Sequence, residues 1–232
     1  MPRIIVVSDL HIPQHHKEGV DALIKRVRTW HPGKVVLLGD ILDSYSISRY
    51  LKDPAAPNLQ EEIDATKDVL RRLRAAIGRG CIEYLSGNHE DRLRRVLWEV
   101  PGLNGLKALS LPELLGVSES RWRPYDKDAY LRIGSIAFHH GGDTKRNTEG
   151  TAKERLTAAG EETRVICCGH THRLSVTYIR DRLGLGASVE TGCLQDPIKA
   201  DYLKTRKLWD LGWIEIYTDT GHSLPRIQPV FL

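Results

Sequence analysis

Residues 3–11 read RIIVVSDLH. Ile4 to Val7 is an unbroken run of β-branched residues, the pattern of a strand covered on both faces, and it stops at Asp9 with His11 two residues further on. Strands of that kind belong to parallel or mixed sheets, so the run predicts an α/β fold with Asp9 and His11 at the carboxyl end of its first strand. The residues that follow repeat the theme. Val20, Leu23, Ile24 and Val27 share one face of a helix over 18–30 that stops at Pro32-Gly33, and residues 34–38 are a second buried strand ending at Gly39-Asp40. Strand, helix, strand is a parallel crossover unit. A helix over 59–77 and a third strand over 81–85, which runs into Gly87-Asn88-His89, extend it.

The second half has a different texture. Short strands are predicted at 130–133, 136–139, 164–168, 174–179, 189–191 and 209–217, with one helix near 151–159. A sheet with more antiparallel character is expected there. Trp209, Trp213 and Tyr217 recur every four residues around Gly212 and are expected in the core rather than stacked on bases. Loops 43–63 and 101–128 are expected to cover the crevice, with Tyr45, Arg49, Tyr50, Trp122 and Tyr125 as candidate contacts.

At 232 residues, 41% hydrophobic and 28% charged, the chain predicts one soluble domain over 1–232, with no internal repeat. The net charge of +4 permits a polyanionic partner without requiring one. Cys81, Cys167, Cys168 and Cys193 show no C-x-x-C spacing and read as structural thiols in a reducing, cytoplasmic compartment. The apolar run at the N-terminus is too short for a signal segment or a membrane span, so neither export nor membrane insertion is expected.

Three successive strands end on metal-binding residue types: Asp9 and His11, then Asp40, then Asn88 and His89. Two later strands do the same, delivering His139-His140-Gly141 and Gly169-His170-Thr171-His172. Singly, each has an ordinary explanation, an aspartate as a turn or cap residue and a histidine as a satisfied polar group. Together, placed where the carboxyl ends of strands converge, they predict a metal site. Histidine nitrogen with carboxylate and amide oxygen, and no thiolate, favours Mn, Fe, Zn, Co or Ni over a pure Mg or Ca site without choosing among them, and manganese is the first expectation.

The ordered blocks Asp9-Leu10-His11, Gly39-Asp40-Ile41-Leu42-Asp43, Gly87-Asn88-His89-Glu90, His140-Gly141 and Gly169-His170-Thr171-His172 resemble the signature of the calcineurin-like metallophosphoesterases. The resemblance implies a four-layer α/β/β/α sandwich of two mixed sheets flanked by helices, and a site for two divalent metal ions. It implies Asp9, His11 and His172 on one ion, Asn88, His140 and His170 on the other, and Asp40 bridging both. His89 would face the scissile phosphate free of metal, and Asp43 would orient ligands rather than bind directly. The sequence leaves open whether His139 or His140 is the ligand. In the family a strand ending near Thr-Gly completes the second sheet, and Thr191-Gly192 looks similar.

Such a pair of ions neutralises a phosphate ester and lowers the pKa of a water towards about 7. His89 is then the candidate acid for the leaving oxygen, with Asp40 and Asn88 completing the catalytic set. Arg92, with Asn88 and His89, is the candidate contact to substrate. Arg94, Arg95, Arg71, Arg72, Arg74, Arg79, Lys145 and Arg146 either line the crevice or form a solvated face. If they line it, the substrate is a nucleic acid or nucleotide and the protein a phosphodiesterase or nuclease. A phosphomonoesterase acting on phosphoprotein or a small ester is the second reading. A non-catalytic scaffold is the third, against which the complete set of blocks argues. Processive handling of duplex DNA would call for a partner or a homodimer.

Overall fold

Alternate side chains of the first strand serve two different cores. The computed structural model describes residues 3–126, 130–141, 154, 156–199, 208–218 and 224–232. In strand β1 (Arg3–Val7), Ile5 and Val7 join a cluster with Val20, Leu23 and Val27 of helix α1 (Lys17–Trp30) and Leu70, Leu73 and Ile77 of helix α2 (Leu59–Ile77). Ile4 and Val6 face the other way, into a cluster with Phe138, Val165 and Val189 of a second sheet. Each such side chain contributes roughly 1.5–3 kcal/mol by leaving water.

Strands β2 (Lys34–Leu38) and β3 (Cys81–Leu85) continue β1 in parallel, and the two-residue β4 (Trp122–Arg123) follows β3. After β5 (Leu131–Ile133), β6 (Ile136–His139), β7 (Val165–Cys168), β8 (Leu174–Asp181) and β9 (Gly184–Thr191), the chain returns to the first sheet as β10 (Gly212–Tyr217) and β11 (Arg226–Phe231). The first sheet runs β11-β10-β1-β2-β3-β4 and the second β5-β6-β7-β9-β8. Beyond the second sheet, Leu156 and Ala159, from a segment helical at residues 154 and 156–158, pack on Ala137, Ile166 and Cys168. The layers are therefore helix, sheet, sheet, helix.

Helix α2 starts with a full capping box, the Asn58 side chain accepting from Glu61 N and the Glu61 side chain accepting from Asn58 N. A bidentate ion pair from Arg26 to the buried Glu215, 2.7 Å at both oxygens, ties α1 to β10.

The boundaries of β2, α2 and β3 agree with the sequence reading, and other elements differ for identifiable reasons. The second sheet is evenly mixed: β6-β7-β9 run parallel, while β5 and β8 are antiparallel edges. Gly184 and Gly186 conceal the first half of β9, which starts five residues before the predicted strand. β11 was not expected because Pro229 breaks its strand pattern, which an edge position tolerates. The short helix α3 (Asp91–Glu99) carries the arginines after His89, and α4 (Leu111–Leu115) was not foreseen. All four cysteines are free, three of them buried. Lys145, Arg146 and most of the predicted helix 151–159 lie outside the described residues. Among the described residues no helix is long and apolar enough to cross a membrane.

Candidate metal centre

β1, β2 and β3 in the first sheet and β6 and β7 in the second all end at one place, and each chain turns sharply there. Asp9, His11, Asp40, His170 and His172 all have φ between 49° and 71°, five of the seven non-glycine residues in the left-handed region among those described. Each such conformation costs on the order of 1 kcal/mol and persists only where the surroundings enforce it. Here the enforcement is hydrogen bonding: Asp9 N donates to Gly39 O at 3.0 Å, His11 N to Asp40 O at 2.9 Å, and Leu194 N to Asp9 O at 3.1 Å. Ser8 Oγ and Thr191 Oγ1, 2.7 Å apart, join the two sheets beneath.

The turns bring the side chains together as three overlapping triads, of which His11, Asp40 and His89 form the middle one. Potential ligand atoms of Asp9, His11 and His172 lie within 4.8 Å of one another, and so do those of Asp40, His140 and His170. His172 Nε2 is 3.3 Å from Asp9 Oδ1, and His140 Nε2 is 3.3 Å from Asp40 Oδ2 and 3.2 Å from Asn88 Oδ1. His170 joins through its backbone N, which donates to Asp9 Oδ2 at 2.9 Å, and through its ring, 5.4 Å from that of His140. Glycine makes the approach possible: a Cβ on Gly87 would sit 2.1 Å from Asp40 Oδ1.

Outer partners fix which nitrogen of each ring faces inward. His140 Nδ1 donates to Leu38 O at 2.8 Å, and His11 Nδ1 is 3.0 Å from Asp43 Oδ1, so Nε2 of both points into the cage. His11 Nε2 then lies 3.3 Å from His172 Nε2. Asp9 Oδ1 and His172 Nδ1 are buried without a hydrogen bond. An oxygen and nitrogen donor set with inward lone pairs and three buried aspartates fits divalent cations.

The electrostatics agree. Burial opposes ionisation of Asp9, Asp40 and Asp43, but the imidazoles outweigh it: His172 and His11 for Asp9, His140 and His89 for Asp40, His11 and His89 for Asp43. All three carboxyls are held below the usual range. Burial likewise works against charge on His11 and His140, yet Asp43 and Asp9 raise the first well above its ordinary value, and Asp40 raises the second to about 9. Burial lowers His170 and His172. The cage selects for positive charge.

His139 and His140 part company here. His139 Nε2 is 3.1 Å from Asp126 O and its Nδ1 accepts from Gly141 N, so it faces away from the cage that His140 enters. Asp43 touches both His11 and His89, its Oδ1 lying 2.7 Å from His89 Nδ1. His89 Nε2 is 3.8 Å from Asp40 Oδ2 and accepts from Arg92 Nη2 at 3.0 Å. Arg92 also donates to Asp43 O at 2.8 Å.

The other arginines take the second of the two alternatives, a solvated face rather than the lining of the crevice. Arg94 and Arg95 pair with Asp91, and Arg72 with Asp21. Arg71, Arg74 and Arg79 sit at the start of β3, the end away from the cage. Of the proposed loop contacts, Tyr125 reaches the site, its ring 6.0 Å from that of His140 and its hydroxyl on Gly141 O. Trp122 instead stacks on the buried Tyr84 at 4.6 Å, Tyr45 donates to Leu51 O, and Tyr50 is largely exposed. Trp213 is a core residue as expected, but Trp209 is not: its ring lies 4.4 Å from His172.

Glu90 went unassigned in the sequence reading. Its buried carboxylate accepts from Asp40 N, Ile41 N, Leu42 N, Gly87 N and the Tyr84 hydroxyl, at 2.7–3.0 Å. Five donors on one carboxylate weld the turn after β2 to the turn after β3, which fixes Asp40 against Asn88. Its acidic type beside His89 was the available signal, without the partners some 50 residues away.

A family model described as the calcineurin-like phosphoesterase superfamily domain matches residues 2–201. The Gene 54 proteins of Mycobacterium phages D29 and L5 are 26% and 25% identical to this chain, each over 98% of it and 93% of their own length. The crystal structure of Vps29 from Chaetomium thermophilum superposes with a TM-score of 0.53 at 14% identity, covering all of this chain and 97% of that one. That likeness concerns the fold alone.

Proposed function

The chain belongs to the calcineurin-like phosphoesterase superfamily, and from that premise we propose that it is a metal-dependent phosphodiesterase acting on nucleic acid or a nucleotide. The clusters Asp9-His11-His172 and Asp40-His140-His170 support the metal-dependent phosphoesterase part of this reading. Asp9, His11 and His172 would hold one divalent ion, Asn88, His140 and His170 the other, with Asp40 shared. Manganese is the first expectation. When bound, such a pair neutralises phosphoryl oxygens and lowers the pKa of a water towards about 7.

The chain's own residues supply the rest. Asp43 holds the Nδ1 side of His89, and Nε2, which accepts from Arg92 in this geometry, would carry a proton for the leaving oxygen only once Arg92 turns away from it, a contribution of roughly 10² to 10⁴-fold. Arg92, already at His89 Nε2, is placed to turn onto a phosphoryl oxygen. A diester carries one negative charge and a monoester nearly two, and a site reached by Arg92 while Arg94 and Arg95 are engaged by Asp91 suits the smaller charge.

Manganese-dependent turnover of bis-p-nitrophenyl phosphate and of single- and double-stranded DNA, set against p-nitrophenyl phosphate, tests the reading. Diester cleavage lost in Asp40→Ala and His89→Ala is the expected result. Turnover of the monoester alone would make the protein a phosphomonoesterase, and turnover of none with metal bound would leave a scaffold.

A further inference from the structure

Away from the metal centre, at the amino end of β3, a groove of about 910 Å³ runs between the C-terminal half of α2 and residues 115–121. Five cations line it, Lys67, Arg71, Arg74, Arg79 and Arg121, and no carboxylate does. All five side chains are exposed. Ile82 and Val117, part-exposed over the buried Leu70 and Leu115, give it apolar walls.

Local structure accounts for part of this charge. Arg74 donates to Gly80 O at 2.8 Å and so closes the end of α2, Arg71 pairs with Asp68 at 3.1 Å, and Arg121 contacts Glu83. Lys67 and Arg79 have no counter-ion or hydrogen-bond partner among the described residues, and the two carboxylates that neutralise their neighbours stand outside the groove. A concave surface with a surplus of positive charge and apolar walls matches a chain of phosphates that also presents flat apolar groups.

We propose that this groove binds single-stranded nucleic acid, with backbone phosphates on the cationic rim and a base against the apolar walls. A duplex keeps its bases stacked inside and could not use those walls. The proposal deepens the phosphodiesterase reading, on whose choice of nucleic acid it rests. The run from Cys81 at the groove to Gly87 at the edge of the metal centre spans about 20 Å at about 3.3 Å per residue. A strand of roughly six stacked nucleotides, at about 3.4 Å each, bridges the two sites, whereas a small diester reaches only the metals.

The test is fluorescence anisotropy of a labelled single-stranded DNA 20-mer, titrated with protein in EDTA between 50 and 200 mM salt, so that no hydrolysis intervenes. Three or four phosphate contacts predict a log–log salt slope of about −2 to −3. Lys67→Glu with Arg79→Glu should weaken binding about tenfold or more and flatten the slope by about 1.4. Lys67→Ala with Arg79→Ala should act in the same direction with smaller size. Manganese-dependent turnover of bis-p-nitrophenyl phosphate and the thermal midpoint should match wild type in both variants. Wild-type protein that leaves the 20-mer free at 50 mM salt overturns the proposal, as does unchanged binding by the double variants. Competition by inorganic tripolyphosphate as strong as by the unlabelled 20-mer overturns the nucleic-acid assignment. Binding that depends on Lys67 and Arg79 in a protein without diesterase activity would support the groove while sinking the catalytic reading.

Discussion

At the carboxyl ends of β1 and β2, Asp9 and Asp40 are buried, held in left-handed backbone and surrounded by imidazoles. At the amino end of β3, Lys67 and Arg79 stand exposed on ordinary backbone, without partners among the described residues. Both ends belong to the parallel strands β1, β2 and β3 of one mixed sheet and both concentrate charge. The difference lies in what fixes that charge. At the metal end, fold and charge are interdependent, since removing one group leaves others buried and uncompensated. At the groove end, Lys67 and Arg79 are exposed, so those two side chains can change without disturbing the sheet. Chemistry that needs precise geometry belongs to the first kind of site, and adjustable holding of a flexible polyanion suits the second.

The sharpest way to break this contrast is Asp40→Ala, because Asp40 belongs to two of the three triads. Diester turnover should fall by about 10³-fold or more and bound metal, read by elemental analysis, should drop with it. Binding of the 20-mer in EDTA should stay at the wild-type level. A variant that kept its metal and its rate would remove the interdependence claimed for that end.

Helix α2 passes from one end to the other, which allows a second comparison within a single element. Glu62, near its start, is 1% exposed, with Oε1 accepting from Ser46 N at 3.0 Å and Oε2 buried without a partner. Burial raises its pKa from 4.5 to about 7. Below pH 4.5 both folded and unfolded chains carry the proton. Between 4.5 and about 7 the unfolded chain ionises first, so stability should fall by about 3 kcal/mol across that window and level off above it. Urea denaturation of Glu62→Gln at successive pH values should show that decline removed.

Asp43→Asn probes support of the cage rather than its ligands. Its carboxylate serves His11 and His89 together, so metal affinity or turnover should weaken roughly 10 to 100-fold, with the rate partly recovered at high manganese. At the other end of α2, Arg71→Ala removes an exposed ion pair with Asp68 at i and i+3 spacing. Stability there should change by no more than about 0.5 kcal/mol in urea, and a larger loss would mean the groove end is structurally coupled after all.

Much of the metal centre could be read in advance because buried strands announce themselves locally. Ile4 to Val7, residues 34–38 and 81–85 are apolar runs that end where polar residues begin, so Asp9, His11, Asp40 and Asn88 were placed at strand ends from periodicity alone. The pair His139 and His140 resisted, since both are buried; what separates them is the Leu38 carbonyl of the opposite sheet, 102 residues away. Whether Arg71, Arg74 and Arg79 line the crevice stayed open in the sequence for a related reason. They precede the Gly87 turn closely in sequence, but the strand between them carries the chain to the far end of the sheet. Trp209, read as core, packs on His172 because the chain before β10 crosses the site.

Sequence alone determined the chemistry of the candidate ligands, the order of strands and helices as far as β3, and the end of each strand on which a candidate ligand falls. Those properties depend on a few adjacent residues. Only the tertiary structure decided which ligands share a point, that Glu90 joins two turns, and that the arginine surplus lies at the opposite end of β3. These follow from two sheets packing with their parallel strands ending together, a relation set by contacts among residues far apart in the chain.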